Sequence, residues 1–250
     1  MIQLTAISKP TELTEELQEK LTELYKKTAE SVWKQKFIEK ALLKMSFGKC
    51  CYCECNVTKE SKYMEIDHFY PKSLYDYEVV KWENLLPSCK LCNGSKGNFD
   101  TKNNEFLHPI HNNPQEHLYF LGYRLRVKSN SVKAKNLLEN IDLNNKQRLV
   151  DKRFEIGDAI NEKLITLLEL TIDYEKGIPK HTKRKNKICN SLKNLLQEGQ
   201  ATSDYSALVA TVILQNPDYQ EIKQLFIDTE LWNEEFNNLE KQLVKSALML

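Results

Sequence analysis

Two cysteine pairs restrict how this chain can fold more than any other feature of its sequence. Cys50-Cys51-Tyr52-Cys53 and Cys89-Lys90-Leu91-Cys92 each set two sulfurs three residues apart, and 35 residues lie between the pairs. A tight turn lets each pair reach one ion, and four thiolates complete a tetrahedral Zn²⁺ with no coordination position left for chemistry. A structural zinc on Cys50, Cys53, Cys89 and Cys92 is therefore expected. Cys51 and Cys55 offer other sulfurs to the same ion, as Cys51/Cys55 or Cys53/Cys55; the spacing of the second pair favours Cys50 with Cys53. A secreted disulfide scaffold spreads its cysteines to close loops, whereas six of the seven here fall between residues 50 and 92, so a reducing compartment is expected. The seventh, Cys189, stands beside Ile188 and Leu192 in a helical pattern and reads as a buried free thiol.

Between the knuckles runs EIDHFYPKS, residues 65–73, followed by WENLLPSC, and CNGSKG opens on the last cysteine. An Asp-His pair before a proline turn is, taken alone, more often a solvated loop than a catalytic pair. Its place between two metal knuckles changes that reading. A one-metal phosphodiesterase needs hard oxygen ligands for an ion that touches the scissile phosphate and its leaving oxygen, and Asp67 and Asn93 supply them. A neutral imidazole beside them activates water for in-line attack, which makes His68 the general base. Lys72 and Lys96 are candidate phosphate contacts, with plain solvated lysines as the alternative. His108, His111 and His117 are spaced by three and six in a Pro/Asn-rich loop with no aspartate, and read as structural or substrate-near rather than as a second metal site.

Around this segment the apolar pattern is helical. Leu13, Leu17, Leu21 and Leu24 form one stripe over residues 11–27, with Thr11 as a candidate cap, and Val32 to Leu42 form a second that stops near Gly48. From 50 to about 110 the periodicity fails, as where a metal organises the backbone. HLYFLGYRLRV, residues 117–127, alternates around Gly122 and predicts a hairpin. Leu149, Ile156, Ile160, Leu164 and Leu168 begin a long amphipathic helix, and three or four more follow, with breaks at Gly177, Pro179 and Pro217.

Charge excludes little. Lys plus Arg number 36 and Asp plus Glu 35, a net of +1, over a chain of 250 residues with 41% hydrophobic content, enough for a substantial core. The distribution is uneven: residues 121–153 hold nine basic residues and three acids, 176–187 hold six and none, and Glu12, Glu15, Glu16, Glu19 and Glu23 balance them. That asymmetry suits one phosphate-facing side, and solvated helix faces are the alternative. No run of 18 apolar residues and no secretory leader pattern stand in the chain, so no membrane role and a cytoplasmic location are expected.

CYCE, IDHFYPKS, NLLPSCKLCN and KG in this order resemble the HNH nuclease motif in its zinc-knuckle, ββα-metal form. GKCCYCE, LHPIHNNPQEHLYFLGYRL and IDLNNKQRLVDKR extend the resemblance, over about residues 30–155, to the PtuB family of Septu antiphage systems, also found beside some retrons. The resemblance implies His68 as base, Asn84 as the asparagine that braces the hairpin, and Asp67 with Asn93 as ligands of Mg²⁺ or another divalent cation. Asn93 in the third position makes an HNN variant. Tyr70 stands where the family commonly has arginine, and Cys51 where a small residue is usual. The resemblance further implies a complex with PtuA, an ATPase of the ABC/SMC-like type, joined in retron versions by a reverse transcriptase and its RNA–DNA product. No GxxxxGK[ST] occurs here, so an ATPase site must come from a partner.

The resulting expectation is an α+β, mainly α protein: N-terminal helices over 1–47, an HNH finger with its zinc knuckle over 48–125, and a helical C-terminal region over 126–250. Its activity would be metal-dependent cleavage of nucleic acid, DNA first and tRNA second, as effector of an antiphage complex. A stand-alone restriction-type HNH enzyme and a non-catalytic zinc adaptor that binds nucleic acid and the ATPase are the alternatives. The apolar end VKSALML either docks a partner or closes its own core.

Overall fold

The computed structural model describes residues 1–59, 63–177 and 182–250. It is mainly helical with two small antiparallel sheets, the α+β class expected, and its residues gather into two compact units. One comprises Met1–His117 with Val127–Asn144, the other Leu118–Arg126 with Asn145–Leu250.

In the first unit, helix α1 (Glu15–Thr28) and helix α2 (Lys36–Met45) precede the cysteines. The cap of α1 is Thr14 rather than Thr11: its hydroxyl accepts the Leu17 N–H, while the Leu13 N–H is already turned back onto the Pro10 carbonyl. Leu13 is thereby buried ahead of the helix, and Leu24, at the end of the expected stripe, is exposed. The chain leaves α2 through Phe47 and Gly48, both at positive φ, and doubles back so that Lys49 bridges Asn56. Strand β1 (Met64–His68) then pairs antiparallel with strand β2 (Leu85–Cys89), Asp67 opposite Leu86 and His68 opposite Leu85. Helix α3 (Lys90–Lys96) follows β2 without a loop and packs on both strands, completing the ββα order.

The second unit opens with the expected hairpin, strands β3 (Leu118–Leu121) and β4 (Arg124–Val127), turning through Gly122 at φ 57. Helix α4 (Val132–Ile141), capped by the Ser131 hydroxyl, belongs to the first unit and was not evident from periodicity. A single π turn, Lys146–Val150, leads into the long helix α5 (Asp151–Glu175), then α6 (Thr182–Glu198), α7 (Ser206–Gln215), α8 (Pro217–Asp228) and α9 (Glu234–Ser246). Gly177 lies just beyond α5, Pro179 falls outside the described residues, and Pro217 opens α8 at its first turn, where its missing N–H costs nothing. Helix α7 is buried from Ser206 to Thr211, the pattern of a helix surrounded by others. Ile160, Leu164, Leu192, Leu196, Ile213, Ile222 and Phe226 meet in this core, with Cys189 partly buried against it. The end of the chain closes the same core: Ala247 and Leu248 are buried, the Leu248 N–H donates to Thr211 Oγ1, and its carbonyl accepts the Phe120 N–H. Of the basic residues counted in 121–153, Arg153 is buried, its guanidinium 5.5 Å from the centre of the Phe120 ring.

Gly157 lets the hairpin approach α5, since a Cβ there would lie 2.4 Å from Cε1 of Tyr123. Alanine gains about 1 kcal/mol of helix propensity over glycine, but overpacking costs about 1–3 kcal/mol, so Gly157→Ala is expected to destabilise the protein. In a Tyr123→Ala background the sign should reverse, to a gain of about 1 kcal/mol. Urea unfolding of the four proteins checks this.

Candidate functional site

The sulfurs of Cys50, Cys53, Cys89 and Cys92 lie within 4.8 Å of one another, and among the described residues no other group of three or more His, Cys, Asp or Glu is so arranged. Cys53 and Cys89 Sγ are 3.8 Å apart, the edge of a tetrahedron with arms of about 2.3 Å, the length of a zinc–thiolate bond. Local structure creates this spacing. Cys89 ends β2 and caps α3, its Sγ accepting the Cys92 N–H, while the Cys50 N–H donates to the Cys55 carbonyl across the first turn. Cys51 is outside the four-sulfur group; its N–H donates to the Pro87 carbonyl, and burial, reinforced by the Cys50 charge, pushes its thiol well above the ordinary range. Cys55 lies beside Cys53 and Cys89, likewise outside the four.

Asp67 is buried on β1 with both carboxylate oxygens engaged. Oδ2 accepts the Tyr52 hydroxyl at 2.6 Å, and Oδ1 accepts Lys96 Nζ at 2.9 Å. The same ammonium donates to the His68 carbonyl at 2.6 Å, and its side chain has no exposed surface. Lys96, expected among the phosphate contacts, thus points inward here, onto the candidate metal ligand. Burial and the Asp67 charge push the Tyr52 phenol well above its usual range, so it remains a donor. Tyr52 was not singled out in the sequence, although it stands inside the first knuckle.

His68, the neighbour of Asp67, projects to the other face of the strand. Its Nε2 lies 2.9 Å from the Val79 carbonyl, which only accepts, so Nε2 carries the proton and Nδ1 holds the lone pair of the neutral ring. No described residue hydrogen-bonds Nδ1. Burial first, and the Lys72 charge second, bring its pKa down to about 4, so the ring is neutral at pH 7. Trp33 packs edge-on against it at 4.7 Å, and Lys72 Nζ sits 5.0 Å from the centre of the Trp33 ring. Asn84, also buried, ties the loop after β1 to its partner strand: Oδ1 accepts the Tyr70 N–H, and Nδ2 donates to the Tyr70 and Glu78 carbonyls.

Asn93 leaves α3 half-buried, its Nδ2 donating to Glu65 Oε2 at 2.8 Å. Asn93, Glu65, Lys72, Lys34, Trp33 and Tyr63 line a cleft of about 760 Å³. Beyond Pro71, Lys102 Nζ lies between 4.7 and 5.4 Å from the ring centres of Tyr70, Tyr75 and Tyr77 and donates to the Tyr77 hydroxyl and to Glu78. A cation therefore covers Tyr70 despite the missing arginine. The loop histidines have these surroundings: His108 Nδ1 accepts the Ile110 and His111 N–H groups, its ring packs against those of Phe69 and His111, and His117 Nδ1 pairs with the Ser131 hydroxyl.

The residues 50–99 match the family of HNH endonucleases. Over 249 residues, all of this chain and 96% of the relative, it is 38% identical to the Septu protein PtuB of Bacillus thuringiensis. A second Septu protein PtuB, of Bacillus mycoides, is 28% identical over 168 residues, 55% of this chain and 56% of that one. No solved structure matches. No helix among the described residues is long and apolar enough to cross a membrane.

Burial, and then the nearby His111, lower the pKa of His108 to about 3, against about 6.5 in an unfolded chain. Between those values the unfolded chain binds a proton that the native ring refuses, so stability falls as pH falls through that window. His108→Phe keeps the ring and loses both the acceptor and the titration. Its deficit against wild type in urea unfolding should therefore narrow from pH 7 to pH 4.5, by on the order of 2 kcal/mol; an unchanged deficit would mean that the folded ring takes up the proton.

Proposed function

We propose that this chain, which belongs to the Septu PtuB family and carries an HNH endonuclease domain, hydrolyses phosphodiester bonds of nucleic acid as the effector of an antiphage complex. The observation that carries the reading is the fixed tautomer of His68: with Nε2 committed to the Val79 carbonyl, Nδ1 is the one ring atom able to take a proton from water. Zn²⁺ is the ion that four thiolates at this spacing suit, and its role is structural.

The oxygens of Asp67 and Asn93 suit a hard divalent cation, and the Lys96 ammonium on Asp67 marks that carboxylate as a place where positive charge is held. Mg²⁺ or a similar ion held by Asp67 and Asn93 would polarise the scissile phosphate and stabilise its leaving oxygen. Asn84 keeps the loop after His68 in register, which holds the imidazole on Val79. Lys72 and Lys34, on the wall of the cleft that Asn93 lines, receive the flanking phosphates. Such contacts read the backbone rather than base edges and so admit either polymer, with DNA as the first substrate class and tRNA as the second. The partner is a PtuA-like ATPase of the ABC/SMC type, with a retron reverse transcriptase and its RNA–DNA product as further partners if the chain serves in a retron, and the site of action is the cytoplasm.

One observation favours a second reading, the zinc adaptor. Both Asp67 oxygens already have protein partners, and a site locked in that state binds nucleic acid without cutting it. The two readings part in cleavage of plasmid DNA and of total tRNA, with Mg²⁺ or with EDTA, with and without the ATPase. His68→Ala at equal zinc content should lose about 10²–10⁴-fold in rate. Cutting that survives the substitution would remove His68 as the base, and absence of cutting under every condition would remove the enzyme reading.

Zinc should be present at about one per chain and should hold the finger together. Chelation, or Cys89→Ser, is expected to abolish amide-exchange protection across β1, β2 and α3 while α7 keeps its own. Protection retained in the zinc-free finger would contradict a structural ion.

A further inference from the structure

We infer that Glu65 is a positioning residue for the divalent-metal centre, acting by fixing which atom of Asn93 faces the ion; this rests on the nuclease reading above. Asn93 can ligate a cation only through Oδ1, because its amide N–H groups are donors. The two ends of an amide have nearly the same shape, so packing alone does not choose between them. Glu65 chooses. Its carboxylate accepts hydrogen bonds and offers none, so the contact of 2.8 Å between Oε2 and the Asn93 side chain requires the NH₂ end to face Glu65. Oδ1 is then the end left for the ion, and no described residue hydrogen-bonds it.

The placement is built into the fold. Glu65 and Asp67 are two residues apart on β1, opposite Ser88 and Leu86, and so share one face of the strand, while His68 takes the other. Helix α3, which carries Asn93, packs on β1. Both partners of the Glu65–Asn93 bond line the same open cleft, whereas Asp67 is buried. The two candidate ligands stand on different elements, and each has its own support: Tyr52 and Lys96 hold Asp67, and Glu65 holds Asn93. Partners of this kind behind metal ligands typically set affinity by about 10–100-fold.

An aspartate side chain in place of the Asn93 amide presents oxygen at both ends and needs no such choice, which gives the test. Mn²⁺ binding, followed by electron paramagnetic resonance of the free ion, is measured for wild type, Glu65→Gln, Asn93→Asp and the double variant, all with full zinc content and similar melting temperatures. Glu65→Gln is expected to weaken Mn²⁺ binding about tenfold or more when Asn93 is retained, and less than about threefold in the Asn93→Asp background. Equal weakening in both backgrounds would overturn the inference, because Glu65 would then act by charge or as a ligand itself. No effect in either would overturn it as well, with the metal centre intact. Absence of Mn²⁺ binding in wild type would remove the centre itself and the inference with it.

Discussion

Four sulfurs meeting at one point are the constraint on which the finger depends. The turn at residues 50–53 lies before β1, Cys89 is at once the end of β2 and the cap of α3, and Cys92 sits in the first turn of that helix. One ion held there would tie the turn before β1 to the junction of β2 and α3. The strands have five residues each, and a two-stranded sheet of that size is marginal in water without further support. A metal on the four cysteines would supply that support locally and leave the faces of β1 free to carry polar side chains that a larger apolar core would exclude.

Those polar side chains form a buried network that would be costly if left incomplete. Asp67, Lys96 and Tyr52 are all nearly inaccessible, and removal of one member of such a pair commonly costs about 3–5 kcal/mol, because the other charge is left alone. The network therefore constrains geometry as well as charge. Lys96 bonds both Asp67 and the carbonyl of His68, so the position of the carboxylate and that of the neighbouring backbone are coupled through one ammonium. On the other side of β1, Asn84 and Val79 hold His68 and the loop after it. Candidate metal ligand and candidate base are adjacent in sequence, opposite in direction, and separately supported.

Much of this was legible because the signals are local. The cysteine spacings, the Asp-His pair before Pro71, the hairpin around Gly122 and the long stripe of α5 depend on neighbours a few residues apart. Positions that depend on distant partners were less legible. Lys96 looks like any lysine at the end of a short helix until β1 is placed beside it, and nothing marks Tyr52 or Trp33 until Asp67 and His68 are next to them. Glu65 had a usable signal, since period two in a strand puts it on the face of Asp67. The start of α1 moved from Thr11 to Thr14 because Pro10 is followed by a turn, and α4 escaped notice because its short apolar pattern is interrupted by polar residues. The apolar C-terminus closes a core already crowded around α7, which only the assembled helices reveal.

The proposed zinc-held finger would present a second, hard-metal centre made by Asp67 and Asn93. Crystals grown with Mn²⁺ and a short duplex bearing a non-hydrolysable phosphate, measured on both sides of the manganese and zinc absorption edges, address it most directly. Two separate anomalous peaks are expected, zinc among Cys50, Cys53, Cys89 and Cys92, and manganese within bonding distance of Asp67 and of Asn93 Oδ1. A zinc peak alone, with Lys96 still on Asp67 and the phosphate elsewhere, would contradict it.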